Sequence, residues 1–258
     1  MKLPKDWDKP SEGNKRLCDK FSYGEYISSG KLVYRLFSPE KQGLFPLVVY
    51  LHGADAFGND NEEQLTLHDI GTTFARDSWQ ASHPCFVLAP QCKPGKHWSI
   101  KSGGGMVCEL IQKLSNEDKR IDISRVYIYG YSAGGIGTLR IIKERPELFA
   151  AAVSICGATE GDKLDVLKDI PLWLIHAVDD EIVRSAYKTN TVRDSFLGSH
   201  DIYEILKDTA SDIHYTEYEK GYMKEKYGVN PHCTWVPAAE DEEMKQWLFE
   251  KRKLRGLF

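Results

Sequence analysis

Apolar and polar residues alternate along KLVYRLFSP, Lys31 to Pro39, the period-two pattern of a strand with one face in water, and this stretch is read as an early antiparallel strand. Five later runs are apolar almost throughout: FPLVVYLHG (Phe45 to Gly53), CFVLAP (Cys85 to Pro90), RVYIYG (Arg125 to Gly130), AAAVSICG (Ala150 to Gly157) and PLWLIHAV (Pro171 to Val178). Such runs fit strands buried on both faces. DIHYTEYE, Asp212 to Glu219, alternates again and reads as the final strand. Between the strands, Gly104 to Glu117 and Gly135 to Phe149 carry apolar residues at helical spacing, and Glu240 to Lys253 closes the chain as an amphipathic helix. Strand and helix in alternation predict parallel pairing, so the expected fold is one α/β domain over 1–258, with a mostly parallel central sheet flanked by helices on both faces. Residues 1–22 are expected to be peripheral. Two charged segments, 184–200 and 219–230, break the rhythm; each reads either as an insertion near a site at the sheet's carboxyl edge or as a surface helix with a loop.

The strand from Arg125 runs directly into Gly130-Tyr131-Ser132-Ala133-Gly134, and a helical pattern follows. A serine between glycines at a strand-to-helix turn has the form of a nucleophile elbow: the turn lifts the hydroxyl above the sheet, and the helix behind it aims free N–H groups at a developing negative charge. Ser132 is therefore the candidate nucleophile and the Ala133 N–H the first oxyanion donor. A second donor is expected from the loop after an earlier strand, where His52-Gly53 precedes Ala54; the Ala54 N–H is the candidate and His52 a structural hydrogen-bonding residue.

A serine hydroxyl is a weak nucleophile near neutral pH and needs an imidazole base, itself oriented by an acid. In this type of fold both lie downstream, acid first. Asp179 and Asp180 both stand where the strand ending in LIHAV enters a loop, with Glu181 beside them and expected to be solvated; the residues alone leave the two aspartates open. His200, His214 and His232 follow. His200 belongs to the polar segment and His214 to the final strand, whereas His232 lies in the loop between that strand and the last helix. The order Ser, acid, His is met by Ser132, Asp180 and His232. Trp235 beside His232, Tyr131 beside Ser132 and Phe57 are the candidates for lining a substrate pocket, with core packing the other reading of Phe57.

Composition narrows the classes. A formal net charge of -4 gives no general attraction to nucleic acid or anionic membrane. The first twenty residues are polar and interrupted by proline, unlike a secretory signal, and no stretch has the length of a membrane span. The cysteines Cys18, Cys85, Cys92, Cys108, Cys156 and Cys233 are far apart and lack a C-x-x-C pair, which argues against zinc or a redox motif. Reduced thiols in a cytoplasmic protein are the expectation; a processed secreted chain would look the same, with Cys92 and Cys108 as its candidate bridge.

Taken together, LVYRLFSPEKQGLFPLVVYLHGADAFGNDNEEQL, FVLAPQC, IDISRVYIYGYSAGGIGTLRIIKERPELFAAAVSICG, DIPLWLIHAVDDEIV and HCTW resemble the esterases of the α/β-hydrolase superfamily, near the dienelactone-hydrolase-like, phospholipase/carboxylesterase and polyhydroxybutyrate-depolymerase-like groups. The resemblance implies an acid in a pattern close to His-Gly-x-x-Asp-x-x-Val-Pro, which His176 and Val183 place at Asp180; Ala177 and Arg184 stand where glycine and proline are usual. It also implies an oxyanion loop reading His-Gly-Ala-Gly-Glu-Arg-Gly, where this chain has Asp55 at the fourth position. A carboxylate in the hole would oppose charge on the substrate oxygen, so Asp55 is expected to point away, bonded to backbone or to a neighbouring cation. The implied activity is serine hydrolysis of a small carboxylic ester, such as an acylated carbohydrate or short-chain ester, without metal or organic cofactor. Its rivals are a serine peptidase of the prolyl-oligopeptidase type and a non-catalytic binding protein of the same fold. Neither the substrate nor the oligomeric state follows from the sequence.

Overall fold

Along Phe45–Leu51, Val48 and Tyr50 pack into one apolar cluster while Leu47, Val49 and Leu51 pack into another, because successive strand residues point to opposite faces and both faces are covered. This strand lies inside the sheet of a computed structural model that describes residues 7–187 and 196–253. The strands in chain order are β1 (Ser22–Ile27), β2 (Lys31–Phe37), β3 (Phe45–Leu51), β4 (Phe86–Gln91), β5 (Ile121–Tyr131), β6 (Ala151–Ile155), β7 (Ala158–Glu160), β8 (Leu172–Ala177), β9 (Phe196–Gly198) and β10 (Ile213–Tyr218). Eight of them form one sheet in the order β1-β2-β4-β3-β5-β6-β8-β10. From β4 to β10 all neighbours are parallel, and β2 joins β4 antiparallel. β7 and β9 form a separate antiparallel pair. This is the α/β-hydrolase fold.

The helices are α1 (Glu12–Cys18), α2 (Glu63–Thr66), α3 (Asp77–Ser82), α4 (Gly103–Glu117), α5 (Ala133–Glu144), α6 (Ser199–Leu206), α7 (Tyr222–Lys226), α8 (Trp235–Ala238) and α9 (Glu242–Glu250). Residues of α4, α5 and α6 share the cluster of Leu47 and Val49, and residues of α8 and α9 that of Val48 and Tyr50, so helices cover both faces. Among the described residues no helix is long and apolar enough to cross a membrane.

Several boundaries move for identifiable reasons. α5 starts at Ala133, two residues before the expected Gly135, because the elbow feeds it directly, and it ends at Glu144 because Pro146 restricts Arg145 and opens a short 3₁₀ turn, Pro146–Leu148. α9 is shorter than the expected Glu240 to Lys253; the Asp241 side chain caps it by accepting from the Met244 N–H. β1 is an addition. The segment expected to be peripheral is tied in where it is described: Ser11 caps α1, and Cys18 and Phe21 are each 3% exposed in the core. Of the two irregular segments, 219–230 contains α7, and 184–200 contributes β9 and the start of α6, with 188–195 outside the described residues. All six cysteines, Cys92 and Cys108 included, are free and buried.

β3 and β5 are neighbours, and the chain leaves them in opposite directions, β3 toward β4 and β5 toward β6. Ligands of open α/β sheets bind at such switch points, beyond the carboxyl ends of the strands. Both candidate oxyanion donors lie on the loops that leave these two ends.

Candidate active site

Ser132 has φ 53° and ψ -120°, a conformation that L residues rarely adopt and that costs on the order of 1–3 kcal/mol. The turn is held from both sides. The Ser132 N–H donates to the Ile155 carbonyl at 2.9 Å and also meets the Cys156 sulfur at 3.3 Å, and the Ser132 carbonyl accepts from Ile136 N at 2.9 Å. The flanking glycines are required by close approach: a Cβ on Gly134 would sit 1.9 Å from the Leu51 carbonyl oxygen, and one on Gly130 would sit 2.6 Å from the Gly134 backbone.

His232 lies in the loop before α8, its backbone N–H bonded to Asn230 Oδ1 at 2.8 Å. Its Nε2 is 2.9 Å from Ser132 Oγ and its Nδ1 is 2.7 Å from Asp180 Oδ2. A carboxylate accepts only, so Nδ1 carries the proton and Nε2 is left to accept from the serine hydroxyl. Asp180, its side chain 0% exposed, is surrounded by donors. Oδ1 accepts the backbone N–H groups of Ile182 (2.9 Å) and Val183 (3.1 Å), and Oδ2 accepts from His232 and, at 3.2 Å, from His176 Nε2. Burial opposes charge on Asp180, but His176 and His232 outweigh it and hold the carboxyl well below the usual carboxylate range. Burial likewise opposes charge on His232, and the Cys156 sulfur and the Asp180 carboxylate overcome it, raising the imidazole above its ordinary value.

The neighbouring aspartate does something else. Asp179 Oδ2 accepts the Gly221 N–H at 2.9 Å, which fastens the turn that begins α7. The other two histidines downstream of the acid lie elsewhere: His214 bonds Asp212 at 3.0 Å and stacks on Trp173, and His200 bonds Glu217 at 3.2 Å.

Ala133 is the first residue of α5, and Ala54 is the first residue of a 3₁₀ turn, Ala54–Ala56. First-turn N–H groups have no partner within their own helix, so both are available to an oxyanion. Beneath them His52 is fully buried; its Nε2 accepts the Cys92 N–H at 2.9 Å, and its Nδ1 therefore donates to the Gly53 carbonyl at 2.7 Å. Burial lowers its pKa to about 4, which keeps this structural imidazole neutral.

Asp55 is bonded to side chains rather than to backbone: Oδ1 accepts the Tyr131 hydroxyl and Oδ2 meets His68 Nε2, both at 2.7 Å. One expectation is corrected here. Tyr131 does not line a pocket; it is 1% exposed, because as the last residue of β5 its ring lies on the covered face between Tyr50 and Trp235. Phe57 is half-buried and packs edge-on against His52. Trp235, 6% exposed, meets the His232 ring edge-on at 5.6 Å between centroids. Sequence reasoning missed His68 and the contact of Cys156 with the elbow, and treated His176 only as a marker of the acid. Among the described residues no three His, Cys, Asp or Glu side chains cluster as metal ligands would.

The chain is similar to several known proteins. Residues 107–194, which contain the elbow and Asp180, match the prolyl oligopeptidase family. The crystal structure of a thermostable esterase is 38% identical, with a TM-score of 0.84, over 92% of this chain and 64% of its own. Poly(3-hydroxyalkanoate) depolymerase C of Paucimonas lemoignei is 29% identical over 127 residues, which is 43% of this chain and 28% of that protein. An acylaminoacyl peptidase of Pyrococcus horikoshii, at 14% identity and a TM-score of 0.63, shares the fold over 92% of this chain and 43% of its own. The chain thus spans less than two thirds of each of these proteins.

Proposed function

We propose, from the premise that this chain is an α/β hydrolase, that it is a serine carboxylic-ester hydrolase working through an acyl-enzyme. The observation that carries the reading is the hydrogen-bonded series from Ser132 Oγ through His232 to Asp180 at 2.9 and 2.7 Å. Ser132 Oγ attacks the ester carbonyl carbon while His232 Nε2 takes its proton, and the carbonyl oxygen becomes an oxyanion facing the Ala133 and Ala54 N–H groups. Collapse of the tetrahedral adduct breaks the bond to the alcohol oxygen, which leaves with the proton from His232. Water then repeats the sequence on the acyl-enzyme, releasing the carboxylic acid and restoring Ser132. Asp180 orients His232 and stabilises its charged form without itself taking the proton.

Ser132→Ala removes the attacking atom and is expected to cut kcat for p-nitrophenyl acetate by at least about 10⁴-fold while circular dichroism stays unchanged. Labelling of the wild type by a fluorophosphonate, lost in Ser132→Ala, identifies the nucleophile. A folded wild type that neither labels nor hydrolyses would instead indicate a binding protein of this fold. The match of residues 107–194 to the prolyl oligopeptidase family favours one other reading, amide hydrolysis by the same residues. Aminoacyl anilides turned over faster than short esters would establish it.

A further inference from the structure

Along β8, Leu172, Leu174 and His176 stand at every second position and so point to one face of the sheet, and the two leucines belong to the apolar cluster that α6 covers. His176 continues their row as a histidine that is 0% exposed. An imidazole taken out of water needs partners for both ring nitrogens, and this one has them. Its Nε2 lies 2.8 Å from the Val183 carbonyl oxygen and 3.2 Å from Asp180 Oδ2. Both oxygens accept only, so Nε2 carries the proton, and the neutral ring accepts the Ser199 hydroxyl at Nδ1, 2.8 Å away. Ser199 is the first residue of α6 and is itself fully buried.

We propose that His176, braced by Ser199, is a positioning residue for the reaction: it fixes the carboxylate oxygen of Asp180 that His232 uses. The proposal rests on the reading of Ser132, His232 and Asp180 given above. An ionised carboxylate offers about four lone-pair sites. Oδ1 takes the Ile182 and Val183 N–H groups, and Oδ2 takes His232 Nδ1 at 2.7 Å and His176 Nε2. The backbone groups thus fix one oxygen, and His176 fixes the other. By also holding the Val183 carbonyl, His176 steadies the loop that supplies those backbone groups. Its effect on His232 runs through Asp180. A tilt of Oδ2 turns the His232 imidazole and moves Nε2 off the Ser132 hydroxyl, which slows proton transfer and leaves binding of the ester unchanged.

Two amides at this position separate positioning from a merely structural role. Glutamine carries an N–H donor as far from Cα as histidine Nε2, whereas the asparagine donor reaches only as far as Nδ1. His176→Gln therefore keeps a donor for Asp180, and kcat for p-nitrophenyl acetate is expected to stay within about 2-fold of wild type. His176→Asn loses that donor, and kcat is expected to fall by about 10-fold with KM changing by less than about 2-fold. Ser199→Ala, which releases the far side of the ring, is expected to fall between them at about 4-fold, and it carries the comparison should circular dichroism show His176→Asn unfolded. The His232 Nδ1–H proton, assigned in NMR spectra by its loss in His232→Ala, reads the same link without turnover: its resonance is expected to move in His176→Asn and in Ser199→Ala and to stay near its wild-type position in His176→Gln. Equal kcat in the two folded amide variants, or a resonance that stays put in His176→Asn, would overturn the positioning role and leave the reading of Ser132 standing. A wild type that neither hydrolyses esters nor labels with a fluorophosphonate would overturn the esterase reading instead, and the resonance alone would then decide whether His176 sets His232.

Discussion

Asp180 and Asp55 each stand a few residues beyond a parallel strand, each carboxylate is paired with a histidine, and each is held below the ordinary carboxylate range against the cost of burial. Their settings differ. The Asp180 side chain is 0% exposed and one of its oxygens takes two backbone N–H groups, whereas the Asp55 side chain is 40% exposed and its partners are a phenol and an imidazole. Backbone donors cannot rotate away, so Asp180 is fixed as a charge in a dry site, where a charge acts most strongly on its neighbour. Asp55 fastens together pieces of chain that are distant in sequence: its own loop, the end of β5 and the loop of His68. One carboxylate is suited to electrostatic work on His232, the other to holding a loop in place.

The strongest way to break this comparison is to neutralise both charges in turn. Asp180→Asn leaves an amide that no longer demands a proton on His232 Nδ1, and kcat for a simple ester is expected to fall by about 10³- to 10⁴-fold. The pH profile adds a sign. His232 must be neutral to accept the serine proton, and its raised pKa keeps it protonated to higher pH, so wild-type kcat/KM should rise with pH through a midpoint above about 6.5. Removing the carboxylate charge should move the residual activity's midpoint downward. A midpoint that stays put would show that Asp180 does not set the charge on His232.

Asp55→Asn tests the other side at smaller amplitude. One oxyanion donor is worth about 10²- to 10³-fold, and a loosened loop forfeits part of that, so kcat should fall by about 10-fold with KM changing by less than about 2-fold. A loss as large as that of Asp180→Asn would erase the distinction and make Asp55 part of the charge system.

The two carboxylates also show what the linear sequence discloses. The strands of the sheet interior were legible because burial on both faces leaves unbroken apolar runs. β1 was not: SYGEYI is a largely exposed strand held by pairing with β2, and its composition carries no period. Ser132 and His232 were chosen from their chain order and their places in the fold, and Asp180 over Asp179 from the resemblance carried by His176 and Val183; the structure brings those three side chains into hydrogen-bonding contact. The partners of Asp55 were not legible, because His68 lies 13 residues along the chain from it and Tyr131 lies 76, with no local pattern linking them. Cys156 was hidden for a related reason. It takes φ 41°, a left-handed conformation that favours glycine, and its sulfur meets the Ser132 N–H from 24 residues away.

Tyr131→Phe makes the finest cut, since it deletes one hydroxyl and keeps the ring between Tyr50 and Trp235. Hydrogen bonds to charged groups contribute about 1.5–3 kcal/mol, but water can reach the half-exposed Asp55 and replace the lost donor, so the stability loss in urea unfolding should be about 1 kcal/mol. Asp55 keeps His68, and kcat should fall by less than about 3-fold. If instead Tyr131→Phe costs as much activity as Asp55→Asn, the phenol rather than the pairing with His68 sets the position of the Ala54 N–H. The loop of Ala54 would then be held by the strand that leads to Ser132, and His68 would have no hold on it.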